Sequence, residues 1–297
     1  MIQVKFIVNS TCKLSKKAKL AIQLCCENEF LTCTFSRTNG PKHAIDLAKK
    51  AVVDGSDVIV AVGGDGTCNE VVNGMMKEVK CSSKFAIIPN GTGNDFHRMI
   101  GEFDPEQFVT KLVNRQSNHI DLIQVNLNHD MRFALNIAGC GFDGYVVNLL
   151  DKQREKWKIG GKISYAFAIL RAFFLFKKSK LSIKTDAFDY DGKALLIVAC
   201  NGSTFGHGLV VYPEARLNSG KIGVTLFGNV SLWDYIKYLR RIKKGIKIKH
   251  PEVHYLETDE MSINAGKSNL FVECDGELIS SGNPEFKIVP RAIQLVY

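Results

Sequence analysis

Two glycine-rich stretches hold the residues best suited to chemistry. The first, Gly63-Gly64-Asp65-Gly66-Thr67, directly follows the apolar, β-branched run Val58-Ile59-Val60-Ala61-Val62. Glycines at the end of a buried strand let backbone N–H groups approach phosphate oxygens without a β-carbon in the way. A helix starting there adds the positive end of its dipole. Thr67 with Glu70 three residues on reads as a capping box for that helix. The second stretch, Pro89-Asn90-Gly91-Thr92-Gly93-Asn94-Asp95-Phe96, ends the next strand-like run. Thr92 and Asn94 offer short polar side chains there, and Asp95 a carboxylate. Ligands of open α/β sheets bind at the carboxyl ends of strands, so two adjacent parallel strands would bring both loops to one rim.

The elements that must position these loops are legible in the periodicity. Strand patterns at Gln3–Val8, Leu31–Ser36, Asp57–Val62 and Lys84–Ile88 alternate with helical ones at Lys13–Glu29, His43–Val53, Asn69–Lys77 and from Gly93 onward. That alternation predicts an α/β domain, a parallel sheet with helices on both faces. After about Asp121 strands follow strands, at Ile120–Leu127, Arg132–Ala138, Leu181–Thr185, Ala194–Cys200, Ile222–Phe227, Met261–Asn264 and Leu270–Cys274. This predicts a β-rich antiparallel domain, interrupted by helices near 143–177 and 231–243. The boundary is placed near 118–122. The terminal strands Glu285–Val289 and Ala292–Tyr297 could join either domain.

Composition narrows the function class. The net charge of +9 is concentrated in two segments. Residues 151–180 carry nine Lys/Arg against two acids, and residues 237–249 carry seven Lys/Arg and no acid. Such patches suit an anionic partner surface. Charge alone would permit nucleic acid, but no zinc finger or RNA-binding aromatic motif accompanies it, and no nucleic-acid partner is expected. No apolar run is long enough to span a bilayer. The best, Ile163 to Phe176, is short and contains Arg171. With no secretory signal, the expected location is cytoplasmic, with peripheral membrane contact. The nine cysteines form no C-x-x-C pair and are expected as buried free thiols.

Two motifs are decoys. Gly139-Cys140-Gly141-Phe142-Asp143-Gly144 fits G-x-G-x-x-G, but the acid required about 20 residues on is missing from a Lys-rich region. Gly266-Lys267-Ser268 resembles the end of a phosphate-binding loop, yet the earlier glycine is replaced by Met261.

The stretch from Gly63 to Gly74, reading GGDGTCNEVVNG, resembles the nucleotide motif of the diacylglycerol kinase catalytic-domain family. Pro89 to Arg98, reading PNGTGNDFHR, resembles that family's second motif. GGDGT alone is shared with NAD kinases, whereas its combination with the second motif is specific. Ile120-Asp121-Leu122, Gly141-Phe142-Asp143, Gly160-Gly161-Lys162-Ile163-Ser164-Tyr165 and Asp275-Gly276-Glu277 extend the likeness over nearly the whole chain, and soluble bacterial lipid kinases are the most similar type. The resemblance implies an α/β nucleotide domain (residues 1–120, with 285–297 returning) and a β-sandwich-like lipid-substrate domain (121–284), with an ATP cleft between them. It implies that Asn9, Thr38, Gly63, Gly64, Asp65, Gly66, Thr67, Asn69, Glu70, Gly91, Thr92, Asn94 and Asp95 contribute to ATP binding. Asp65, with Asp95 of the second loop, would hold Mg²⁺ through oxygen. Asp275-Gly276-Glu277, which by itself reads as a hairpin turn, would carry the catalytic base Glu277 together with Asp275. The reaction implied is phosphoryl transfer from ATP to a lipid hydroxyl, with diacylglycerol first among acceptors. Phosphatidylglycerol, a monoacylglycerol or a sphingoid base also suits the scaffold. The resemblance also allows a homodimer.

The chain departs from the family at two places. The usual Asn-Pro-x-x-Gly loop is replaced by Asn9-Ser10-Thr11-Cys12-Lys13. A structural Mg²⁺ site near Asp-Gly-x-Leu is replaced by Ser219-Gly220-Lys221-Ile222, which removes a carboxylate and argues against that metal. The altered first loop leaves a nucleotide- or membrane-binding pseudokinase as an alternative, and the shared GGDGT element leaves a kinase of soluble substrates as another. In Lys152–Lys180, Trp157, Ile163, Phe167, Leu170, Phe173 and Phe174 lie among Lys and Arg, as on an interfacial helix at an anionic leaflet.

Overall fold

The computed structural model describes residues 1–78, 81–157, 162–206, 208–266, 268 and 270–297, leaving aside the side chains of 154–157 and 162–166. Gly160, Gly161 and Lys267, and the side chains of Trp157 and Lys162–Tyr165, lie outside the described residues. Two compact units are present: Met1–Leu122 with Pro290–Tyr297, and Ile123–Val289.

The first unit runs β1 (Ile2–Val8), α1 (Lys16–Glu27), β2 (Leu31–Arg37), α2 (His43–Val53), β3 (Val58–Gly63), α3 (Asp65–Met75), β4 (Lys84–Pro89), α4 (Asp95–Ile100), α5 (Pro105–Val113) and the start of β5 (Asn118–Leu127). Strands β2, β1, β3 and β4 pair in that order, all parallel. Every residue of β3 is buried, which is why its sequence is a continuous apolar run. Val58, Val60 and Val62 pack with Ala18, Ala21 and Cys25 of α1 and Phe108 and Leu112 of α5. Strand alternation turns Ile59 and Ala61 to the opposite face, where α2 and α3 pack on each other and on β3. Gly74 makes that helix pair close: a β-carbon there would collide with the carbonyl of Ile45 and stand 2.8 Å from Cβ of Ala48.

The second unit continues with β6 (Asp130–Ala134), β7 (Ile137–Gly141), α6 (Phe142–Trp157), α7 (Lys162–Leu175), β8 (Ser179–Thr185), β9 (Asp189–Ala194), β10 (Leu196–Cys200), β11 (Thr204–Phe205), β12 (Leu209–Val210), β13 (Ile222–Phe227), α8 (Leu232–Lys243), β14 (Val253–Thr258), β15 (Glu260–Asn264), β16 (Phe271–Cys274), β17 (Glu277–Ser281) and β18 (Glu285–Val296). One antiparallel sheet has the order β14-β13-β10-β7-β16-β17. Its inward residues, among them Cys140, Ile197, Val224 and Val272, share a core with Val125, Ile183, Met261 and Phe286 from β5, β8, β15 and β18. This is a β-sandwich. The outer face of the six-stranded sheet is covered by α6, α7 and α8 through Val146, Leu149, Ala168, Ala172, Tyr235 and Ile242. Among the described residues no helix is long and apolar enough to cross a membrane.

Several expectations need correction. The helix expected over Asn69–Lys77 begins at Asp65, capped by the extended Gly64 with no side-chain hydrogen bond. Thr67 is therefore inside the helix rather than its N-cap, and no capping box forms. The helix expected from Gly93 onward is two short ones, α4 and α5, separated by Gly101 at φ 105°. The two terminal strands are one strand, β18, which carries Arg291 at φ 53° just after Pro290. The Asp121 carboxylate accepts the Arg291 N–H at 2.7 Å and holds this bend. Strands β9, β14 and β17 were not separately expected; each mixes exposed or half-buried positions without a continuous apolar run. All nine cysteines are free, but only Cys25, Cys68, Cys140, Cys200 and Cys274 are buried; Cys12 and Cys26 are exposed.

Candidate active site

Parallel pairing of β3 with β4 sets Gly63 opposite Pro89, so both glycine loops leave the sheet at the same rim. Gly64 and Gly91 then meet backbone to backbone. A β-carbon on Gly64 would lie 3.0 Å from Cα of Gly91, and one on Gly91 would collide with Gly64. Asn94, in the left-handed conformation at φ 52°, closes the second loop on itself. Its Oδ1 accepts from Gly91 N at 3.0 Å and its Nδ2 donates to Gly91 O at 3.0 Å. Gly63 lies directly under Thr67, whose Cβ would be 2.7 Å from an added β-carbon. Because α3 has no side-chain cap, the N–H groups of its first turn face this rim ready for an anion.

The loop after β1 joins the same cluster despite its unusual sequence. Asn9 N donates to Val62 O at 3.0 Å, and Asn9 Nδ2 donates to Thr67 Oγ1 at 2.9 Å. Asn9 Oδ1 accepts from Thr11 N at 2.9 Å and from Thr11 Oγ1 at 2.7 Å. This Asx turn supplies the bend that Pro and Gly would otherwise make. Thr38, at the end of β2, accepts the Ser10 N–H on its Oγ1 at 3.1 Å. Asn90, which sequence reasoning did not single out, ties the two loops together. Its Oδ1 accepts from Ser15 N at 2.8 Å and its Nδ2 donates to Lys13 O at 3.2 Å. The signal available was only a turn-forming Pro-Asn-Gly. Thr92 is exposed at the tip of its loop.

Asp65 and Asp95 converge at the entrance of this cluster. Asp65 Oδ1 accepts the Phe96 N–H at 3.0 Å. Its Oδ2 would lie 3.1 Å from a β-carbon on Gly93, with Asp95 Oδ2 at 3.6 Å from the same point. Burial pushes His97 below the usual histidine range, opposed by the charge of Asp65. Two hard oxygens opening on one spot fit Mg²⁺, which is typically held by one or two carboxylates plus phosphates and waters. Among the described residues no group of three or more His, Cys, Asp or Glu forms a closed metal site.

Glu70 is placed elsewhere. Glu70 is buried, and its two carboxylate oxygens accept the N–H groups of Lys42 at 2.8 Å and Ala44 at 3.0 Å. Lys42, the N-cap of α2, has φ 64° and makes no side-chain cap bond. Glu70 therefore caps the neighbouring helix, not its own, and does not reach the loop rim. Asn69 is buried and accepts from Asn73 Nδ2 through its Oδ1 at 3.1 Å.

In the second unit, Asp275 sits at φ 49° in the turn between β16 and β17. Its carboxylate accepts three backbone N–H groups, from Leu135 at 2.8 Å, Asn136 at 3.0 Å and Ile137 at 2.8 Å. Glu277 follows, half-buried, as the first residue of β17. At the other loop of interest the Ser219 hydroxyl accepts from Lys221 N at 3.2 Å and donates to Lys221 O at 3.0 Å. Lys221 Nζ lies 2.9 Å from Asp259 Oδ1, and that hydrogen bond and the acids Asp259, Asp186 and Glu257 raise its pKa. An ammonium occupies this acidic corner and the serine is closed on its own turn, so the residues do not fit a structural cation.

An α/β unit with two glycine loops on one rim is followed in the chain by a β-sandwich. Residues 3–125 match the diacylglycerol kinase catalytic domain, and residues 136–297 match the YegS C-terminal NAD kinase beta sandwich-like domain. The chain belongs to the diacylglycerol kinase catalytic-domain family, a family of lipid kinases. It is 26% identical to a protein of Bacillus subtilis named diacylglycerol kinase, over 85% of this chain and 82% of that one. It is 28% identical to a Shewanella frigidimarina protein named "Probable lipid kinase YegS-like", over 83% of this chain and 78% of that one. A crystal structure described as a diacylglycerol kinase from Bacillus anthracis superposes with a TM-score of 0.73 at 18% identity, covering 99% of this chain and 96% of that one, and is similar in fold.

The Glu70 cap has a measurable consequence. Glu70→Ala leaves the buried N–H of Ala44 and the part-buried N–H of Lys42 at the start of α2 without an acceptor and lowers unfolding free energy by about 2 kcal/mol in chemical denaturation. Glu70→Gln, which keeps one acceptor oxygen, falls between that variant and the wild type.

Proposed function

We propose that this protein transfers the γ-phosphoryl group of ATP to a lipid hydroxyl, with diacylglycerol as the first acceptor and phosphatidic acid as its product. The observation that carries the reading is the anchoring of Asp275 by three backbone N–H groups, which fixes the turn delivering Glu277. A carboxylate tied down in this way positions rather than reacts, so Asp275 orients the turn and Glu277 is the proton acceptor. The glycine loops support the other half of the reading: backbone N–H groups of the first turn of α3 and of the Gly91–Gly93 loop hold the phosphates. Asp65 and Asp95 hold Mg²⁺, which when bound neutralises phosphate charge during transfer.

The chemistry then balances simply. Glu277 takes the proton of the lipid hydroxyl, whose oxygen forms a bond to the γ-phosphorus as the bond from that phosphorus to the bridging oxygen of ADP breaks. Beyond that proton transfer, the residues orient groups and stabilise charge.

A lipid acceptor stays in its bilayer, so the enzyme must come to it. The second unit offers a suitable surface. Phe173 of α7 meets Trp233 of α8 edge-on, with ring centroids 4.9 Å apart. Phe174 is 75% and Trp233 66% exposed, and Leu170, Leu175 and Ile236 are also exposed. Exposed Arg171, Lys177, Lys237, Arg240 and Arg241 accompany them. Lys178 Nζ joins the end of α7 to the start of α8 through Asn229 Oδ1 at 2.6 Å. Aromatic residues among cations suit peripheral binding to an anionic leaflet.

The deciding experiment is transfer of label from γ-labelled ATP with Mg²⁺ to a panel of lipids in mixed micelles. Labelled phosphatidic acid is expected; label on another lipid would change the acceptor, and intact nucleotide binding with no labelled lipid would favour the pseudokinase. Glu277→Gln should lower kcat by at least about 100-fold, the scale of a lost general base, with ATP binding retained; wild-type turnover would remove Glu277 from the role. In sedimentation with vesicles, the double variant Trp233→Ala and Phe174→Ala should lose most binding to phosphatidylglycerol-containing bilayers. Unchanged binding would remove this surface from the account.

A further inference from the structure

Beneath the Asp275-Gly276-Glu277 turn lies a second pair of carboxylates to which the proposed reaction gives no role. Glu273 is in β16 and Asp143 in the first turn of α6; their exposures are 4% and 8%. Glu273 pairs in register with Gly139 of β7. Its neighbours Val272 and Cys274 face the sandwich core, so strand alternation sends Glu273 to the opposite face, under α6. Gly139 leaves the space for both acids. A β-carbon there would collide with Asp143 Oδ2 and stand 3.0 Å from Glu273 Oε1. Glu273 Oε2 accepts the Gly276 N–H at 2.7 Å, the Gly139 N–H also donates to the Glu273 carboxylate, and Asp143 Oδ1 accepts the Gly144 N–H at 2.7 Å. Asp143 Oδ2 is buried without a hydrogen-bond partner.

Two ionised carboxylates in such a place would repel each other without water to screen them. The titratable groups acting on the site do not offset this. Cys140 of β7, Cys200 of β10 and Cys274 of β16 are buried thiols pushed well above their ordinary range, by burial first and then by neighbouring acids. Asp275 adds a further negative charge beside Glu273, Glu277 one beside Cys274, and Arg132 acts on Cys274. A proton placed between Asp143 Oδ2 and Glu273 Oε1 satisfies the orphaned oxygen and removes one charge.

We propose that Asp143 and Glu273 share one proton as a buried carboxyl–carboxylate pair, and that Glu273 is thereby the positioning residue that holds Gly276 and aims Glu277. The positioning half rests on the reading of Glu277 as the base. The pair carries one charge instead of two, and its inner geometry is set by the shared hydrogen bond. Loss of the last proton restores the repulsion and loosens the Gly276 contact from below.

The sign of the pH dependence follows. Burial raises both acids, Asp143 to about 7 and Glu273 well above its ordinary value, the latter also through the charge of Asp143. The folded chain therefore keeps protons that the unfolded chain gives up near the ordinary carboxylate range. The stabilising contribution is complete below that range and is lost as pH rises through the raised values.

The test is a set of pH profiles for wild type, Glu273→Gln and Asp143→Asn, both isosteric and neutral. In the wild type, melting temperature and kcat decline together on the alkaline side, while the KM for ATP stays constant. In both variants the decline in melting temperature flattens. In Glu273→Gln, whose amide can still accept from Gly276 N and donate to Asp143, the alkaline limb of kcat moves upward by about one pH unit, a tenfold gain there. An infrared carbonyl band of a protonated carboxyl persists at neutral pH in the wild type and is lost in Glu273→Gln. Superposable melting profiles, or a missing carboxyl band, overturn the shared proton. Unchanged kcat profiles with altered melting profiles overturn the positioning role alone. A wild type that phosphorylates no lipid overturns the positioning role together with the reading beneath it, while melting and infrared data still decide the shared proton.

Discussion

The contact on which the first unit depends is the meeting of Gly64 and Gly91. Parallel register brings the ends of β3 and β4 level, and only residues without side chains let the two chains that leave them touch. Once they touch, the rest of the rim follows. Asn94 can close its loop on Gly91, Asn90 can reach across to Ser15 and Lys13, and Asn9 can find Thr67. The rim is therefore built mostly from backbone and amide groups, which keep their hydrogen-bonding capacity at any physiological pH. This suits a site whose task is to hold phosphate rather than to titrate.

The second unit follows a different rule. There the important turn is governed by carboxylates: Asp275 gathers three N–H groups from the β6–β7 segment, and Glu273 takes a fourth from Gly276. Each such bond involves a charged or potentially charged acceptor, half-buried at Asp275 and buried at Glu273. These interactions are stronger and more directional than neutral ones, but they make the turn sensitive to protonation. The glycine-loop rim of one unit thus relies mostly on fixed dipoles, and the turn of the other on groups whose charge is itself a variable.

Much of this was legible in the sequence, for identifiable reasons. The run Val58–Val62 followed by glycines could only be a buried strand ending in a tight turn, and the alternation around it fixed a parallel sheet. What escaped was whatever depended on a distant partner. Glu70 three residues after Thr67 has the spacing of a capping box, yet its carboxylate turns to Lys42 and Ala44 because α2 begins with a left-handed residue that cannot cap itself. Glu273 looks like an ordinary polar position in an alternating strand. Its significance comes from Asp143, over a hundred positions earlier in the chain, and from the missing side chain of Gly139. Gly139 belonged to a motif set aside as a false dinucleotide fingerprint. Its glycines are required, but for packing two acids and the carbonyl of Phe271 rather than a cofactor.

Strand β18 has a further consequence, for the order of assembly. Its first residues pair with β15 in the sandwich, and Leu295 and Val296 pair with Phe85 and Ala86 of β4. During synthesis the flank of β4 therefore stays uncovered while all of the sandwich strands are made. An open strand edge beside buried residues such as Phe85 invites pairing with other nascent chains. The parallel sheet gains its last strand only when residues 295–296 have left the ribosome.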